Sequence, residues 1–132
     1  MTRAHVTVVI DLPPRELSPN ARTHWAVKKK AKNAYADHVF AEAVRAQGAE
    51  RRHWKRARIQ TAFYWRTRHE HDEDNIMAQL KYARDAMARA GIVENDRGFT
   101  CDPPGQFVDP ETPRVLLHVT CLDAEEVEAG AE

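Results

Sequence analysis

Between Arg58 and Ala90 the hydrophobic period changes from that of a strand to that of a helix, and the change falls on a run of acids. Ile59, Thr61, Phe63 and Trp65 alternate, as one face of an extended strand must. Ile76, Leu80, Ala83, Met87 and Ala90 recur at helical spacing and form one buried stripe. Gly91 then ends the helix in the usual C-terminal way. Between the two segments lies His69-Glu70-His71-Asp72-Glu73-Asp74-Asn75, with Arg66 and Arg68 leading into it. A strand that feeds straight into a helix restricts the chain to layered folds, because the strand needs a sheet and the helix needs a surface for its stripe.

The rest of the chain fits that restriction. His5 to Leu12 alternates and is β-branched, so it reads as a strand, closed by Pro13-Pro14. Leu17-Ser18-Pro19-Asn20 is turn chemistry. Trp25 to Ala46 contains no Pro or Gly, and Val27, Ala31, Tyr35, Val39 and Ala43 recur every fourth residue, which predicts a long helix. Val115 to Leu122 alternates again and predicts a last strand. Asp102-Pro103-Pro104-Gly105 is a loop with room for short strand pieces on either side. The order β-α-β-α-β predicts an α/β fold, a small mixed β-sheet packed by two main helices, in one domain over residues 1–122. Residues 123–132 are expected to form an acidic, disordered tail.

At 132 residues the chain is long enough for one modest core. No apolar run approaches a membrane span, and no charged-then-apolar signal opens the chain. Cys101 and Cys121 are the only cysteines, so reduced thiols and a cytoplasmic location are expected. The net charge of zero conceals a gradient. Residues 1–58 carry thirteen Lys/Arg against five Asp/Glu, residues 59–100 six against seven, and residues 101–132 one against eight. A basic half beside a carboxylate centre suits a polyanion held near a cation site.

Asp72-Glu73-Asp74-Asn75 admits two readings. Asp and Asn gather at helix N-termini because they cap them, and acids suit the positive end of a helix. Yet one cap needs only one residue, and Glu70, Asp72 and Glu73 are then surplus like charges. In extended chain the carboxylates of Asp72 and Asp74 project together, with Cα atoms roughly 6.6 Å apart. Such a pair can hold a hard cation, Mg²⁺ or Mn²⁺. Asp74, Ala78, Lys81 and Asp85 share one helix face. Lys81 could contact a phosphate over the carboxylates, or it could simply pair with Asp85 on the surface. Asp96 offers a third carboxylate only if the chain folds back beside the start of its helix.

These residues carry a resemblance. The chain resembles the RusA family of Holliday junction resolvases, in its phage and prophage form, over about residues 6–122. The matching pieces are Leu17-Ser18-Pro19-Asn20, His24-Trp25, Lys30-Ala31-Lys32, Tyr35, Arg66-x-Arg68, Asp72-x-Asp74-Asn75, Leu80-Lys81, Asp85-Ala86-Met87, Ala90-Gly91-Ile92 and Asp96. The resemblance implies a Mg²⁺-dependent endonuclease, with Mn²⁺ as substitute, acting as a homodimer on four-way DNA junctions. It implies Asp72, Asp74 and Asp96 as metal ligands and Lys81 as a catalytic lysine. DNA contacts would come from Asn20, Arg22, His24, Lys28, Lys29, Lys30, Lys32, Arg66, Arg68, His69 and His71. The chain departs from the family at two points. Asn95 stands where a second Asp is common, and Ala78 occupies a lysine position one turn nearer the acids.

Three rival readings follow from the same residues. One is a nuclease for flaps and branched DNA without junction preference. Another is a DNA-binding protein without catalysis. The third is a zinc protein using His69, His71, Cys101 and Cys121, whose spacing fits no ordinary finger or ribbon.

Overall fold

A computed structural model describes residues 4–19, 21–68, 71 and 73–123, with the backbone alone for residue 73. Five strands and two long helices follow in the order β1 (His5–Ile10), α1 (Trp25–Gln47), β2 (Ala57–Trp65), α2 (Glu73–Arg89), β3 (Phe99–Cys101), β4 (Gly105–Val108) and β5 (Arg114–Cys121). Short 3-10 turns cover Arg15–Leu17 and Asp96–Gly98. The fold is the α/β layer expected from the sequence, with β3 and β4 as the short pieces around the Asp102 loop. No helix among the described residues is long and apolar enough to cross a membrane.

The sheet is mixed. β5 lies between β1 and β2 and is antiparallel to both. The other edge of β2 is shared: Ala57–Ile59 pairs in parallel with β3, and Ala62–Trp65 pairs in parallel with β4. Parallel pairing needs a crossover, and α2 supplies it. One sheet face is apolar because the register aligns the alternating residues. Val8 lies opposite Leu117, which lies opposite Thr61; Ile10, Val115 and Phe63 align in the same way. These side chains are buried with Tyr35, Val39 and Ala43 of α1 and with Ile76, Leu80, Ala83 and Met87 of α2.

The apolar row predicted along the first helix is buried only in part. Tyr35, Val39, Ala43 and Gln47 are buried, but Val27 is 52% exposed. The reason is rotational. Residues four apart advance about 400° on a helix, so a strict four-residue row drifts about 40° at each step and turns about 160° from Val27 to Ala43. One flat sheet cannot cover that arc. The first turn and a half of α1, Trp25 to Lys30, therefore leaves the core, and Ala31 packs against it.

The two helices end together through Gln47. Its Nε2 donates to the Ala43 and Ala90 carbonyls at 3.2 and 2.8 Å, and its Oε1 accepts from the Arg52 N–H at 2.9 Å. A buried amide is tolerated here because its hydrogen-bonding groups are used. Gly91 closes α2 at φ +90°, where a Cβ would meet the Arg51 side chain at 3.0 Å. At the other end of the chain, Asp123 belongs to the domain and not to the tail. Its two carboxylate oxygens accept from the Lys55 and Arg56 N–H groups, each at 2.9 Å. Residues 124–132 lie outside the described part.

Candidate nucleic-acid and metal site

The join of β2 and α2 is held by aromatic stacking. Phe63 and Trp65 point the same way along β2, and their rings stack at 5.0 Å and 18°. The His71 imidazole lies flat on the Trp65 indole, at 3.6 Å between centroids and 13°. Gln106 of β4, opposite Phe63 in the register, braces both. Its Oε1 accepts from Trp65 Nε1 at 2.9 Å, and its Nε2 donates to the His71 carbonyl at 3.4 Å. The residue just before Asp72 is thereby fixed to the end of the strand. Nothing in the sequence pointed to Gln106, because a contact between residues 41 apart leaves no periodic signal.

Asn20, His69 and Asp72 lie outside the described residues. Asp74 is exposed on the first turn of α2, and Lys81 is exposed two turns further along. Arg66 and Arg68 are exposed on the approach to the acids. Lys81 forms no ion pair among the described residues. Its positive charge acts on the Asp85 carboxyl, which is four residues away on the same face.

The structure does not bring Asp96 beside Asp74. The Asp96 carboxyl lies near enough to Asp85 to act on it, at the border of an open depression of ≈ 400 Å³ lined also by Ala88, Arg89, Glu94 and Asn95. Asp85 and Asp74 are eleven residues apart on α2, which is about 16 Å of helix. The chain leaves α2 at its far end, so Asp96 returns beside the last turns and not the first. Among the described residues no three His, Cys, Asp or Glu groups gather in a way that could hold a metal. The zinc reading fails on different grounds. Cys101 on β3 and Cys121 on β5 flank β2 from opposite edges, so their strands are about 9.6 Å apart. That separation does not suit two thiolates at about 2.3 Å from one ion, and Cys121 is fully buried.

The Asp85–Asp96 pair has a consequence for stability. Burial, then the hydrogen bond and negative charge of Asp96, raise the Asp85 carboxyl above the usual carboxylate range, against the pull of Lys81 and Arg84. A raised carboxyl favours the fold while it is protonated, below its unfolded value, and that contribution is lost as pH rises through the folded value. Asp85→Asn should therefore stabilise the protein at pH 7.5, by no more than about 1 kcal/mol given the exposure of the pair. The gain should shrink towards zero near pH 4. Urea unfolding at the two pH values checks both the sign and the trend.

The basic residues fall into two groups. On α1, Lys28, Lys29 and Lys30 make no ion pairs among the described residues. Lys32 Nζ lies 5.0 Å above the Tyr82 ring of α2 and so also ties the helices together. Arg22 and His24 are exposed just before α1. His24 serves as the helix cap, its Nδ1 accepting from the Ala26 N–H at 3.2 Å. Arg58 is not available as a phosphate ligand, because it makes a two-pronged pair with Asp102 at 2.6 to 2.9 Å.

No protein-family model matches the chain. A protein of Xylella fastidiosa, described as an uncharacterized protein, is 36% identical over 101 residues. The match covers 74% of this chain and 64% of that protein, so it spans less than two thirds of the relative's length.

Proposed function

We propose that the protein is a Mg²⁺-dependent endonuclease that resolves four-way DNA junctions in the cytoplasm, as its resemblance to the RusA family implies. The observation that carries the reading is the strand-to-helix join. There an exposed Asp74 stands two residues after Asp72 in the sequence, with exposed Arg66 and Arg68 before them and an exposed Lys81 on the same helix face. Asp72 and Asp74 offer hard oxygen donors and would hold the cation. Bound there, Mg²⁺ would supply Lewis-acid stabilisation of charge at the scissile phosphate. Lys81 adds positive charge two turns along the helix, where negative charge develops on the phosphate. Arg66, Arg68 and the lysines of α1 grip flanking phosphates. Gln106 and Trp65 hold the backbone that leads into Asp72. Two symmetric cuts need two sites, which a C2 homodimer provides.

The position of Asp96 favours a second reading, a protein that binds branched DNA without cutting it, since Asp96 lies beside Asp85 and about 16 Å along α2 from Asp74. One experiment separates the two. The purified protein is incubated with a synthetic four-way junction, a flap and a linear duplex, with and without Mg²⁺. Paired cuts in the junction only when Mg²⁺ is present support the nuclease. Flap cutting of equal rate supports a general branched-DNA nuclease, and binding without cutting supports the second reading.

The α1 lysines make a quantitative prediction. Changing Lys28, Lys29 and Lys30 to Ala should weaken duplex and junction binding alike. The slope of log affinity against log salt should fall by about 0.9 for each lost phosphate contact. Lys32 is left in place because it packs on Tyr82. An unchanged slope would make the three lysines a solvated helix face.

A further inference from the structure

We infer that Trp25 is a stacking platform for an unpaired base of the DNA. The inference rests on the proposed DNA-binding function and names the feature of DNA that the first turns of α1 recognise. Three observations meet at this residue. Trp25 is 71% exposed and Val27 is 52% exposed, and no residue from Trp25 to Ala34 is buried. A single exposed apolar side chain is ordinary. Here it opens the first turns of α1, which meet the rest of the chain only further along, at Ala31 against the core and at Lys32 over Tyr82, among the described contacts.

The second observation is charge. Arg22 precedes Trp25, Lys28, Lys29 and Lys30 follow within two turns, and the first turn contains no acid. Cations at the positive end of a helix are unfavourable. The arrangement is relieved by an anion held from outside. The third observation is rigidity. Trp25 is the first helical residue, the preceding His24 caps the helix, and the His24 ring lies beside the indole at 5.7 Å and 31°. The indole is thus presented on an ordered element. A flat aromatic surface amid phosphate-binding cations is the chemistry of single-strand recognition, because every unpaired base has a π-face and every linkage a phosphate. A continuous duplex keeps its base faces stacked and offers only phosphates. The occupant is therefore an unpaired base, such as those at a branch point.

The test uses the intrinsic fluorescence of the full chain. Trp54 is buried and Trp65 is stacked between Phe63 and His71, which leaves Trp25 as the indole open to a ligand. Oligothymidine and an open four-way junction should quench part of the emission, and a blunt linear duplex should bind with little quenching. Trp25→Ala should lower affinity for oligothymidine about 5- to 100-fold and leave duplex affinity nearly unchanged. Trp25→Phe should remove the quenching and keep most of the affinity. Oligothymidine affinity unchanged in Trp25→Ala, with wild-type duplex binding and cutting, overturns this inference alone. Failure of the wild-type chain to bind any of the three DNAs overturns it together with the proposed function. Quenching by phosphatidylserine vesicles and not by DNA would assign Trp25 to a lipid surface and also overturn it.

Discussion

Asp72→Asn and Asp74→Asn should each lower Mg²⁺-dependent cleavage of a four-way junction at least about 10³-fold, a loss of about 4 kcal/mol at 1.36 kcal/mol per tenfold, while junction binding persists. The loss is large because a carboxylate that holds the cation acts where charge develops in the transition state. The grip on DNA persists because it comes from elsewhere, from the arginines before the join and the lysines of α1. Asp74 is exposed, so its replacement by an isosteric amide leaves packing alone. Band-shift and single-turnover cleavage assays on the same preparations separate the two effects. The contrast is Asp96→Asn, expected within about tenfold of wild type, because Asp96 lies beside Asp85, about 16 Å along the helix from Asp74. Equal losses at Asp74 and Asp96 would require Asp96 to reach the join across a subunit boundary. Undiminished cutting in Asp74→Asn would return Asp74 to its simpler role as a residue of the helix start.

The frame was legible where one periodic signal dominates. The strand-to-helix change at Arg58–Ala90 places β2 and α2 to within two residues, because alternate burial in a sheet and a helical stripe leave different spacings in the sequence. The α1 row misled at Val27 because a strict four-residue spacing drifts around the helix and leaves the face that the sheet covers. Asp123 looked like tail by composition, yet it closes two backbone N–H groups of residues 55 and 56. The site was legible only as chemistry. An acidic run flanked by arginines can be read from residue types, but two tertiary facts cannot. The Gln106 brace depends on the parallel register of β4 with β2. The pairing of Asp96 with Asp85 depends on where the chain leaves α2. Each joins residues whose separation in sequence follows no period.

Lys81→Ala should lower the single-turnover cleavage rate roughly 10²-fold at saturating protein, as loss of a preorganised charge does, and change junction affinity little. Lys81 stands seven residues after Asp74, close to two full turns, and the two therefore share a face. It is exposed and forms no ion pair among the described residues, so its amine is not committed to holding the fold. The competing role is a surface partner for Asp85, whose carboxyl feels its charge. That role would cost only a few tenths of a kcal/mol in stability and would leave the rate alone. Lys81→Arg sharpens the distinction. It keeps the charge that a surface pair needs but changes the reach and donor geometry that a transition-state contact needs. A catalytic Lys81 therefore predicts a slow Arg variant with wild-type unfolding. Lys81→Ala cleavage within about twofold of wild type, under 0.5 kcal/mol on that scale, would remove Lys81 from the catalytic group and leave Asp72 and Asp74 to act without it.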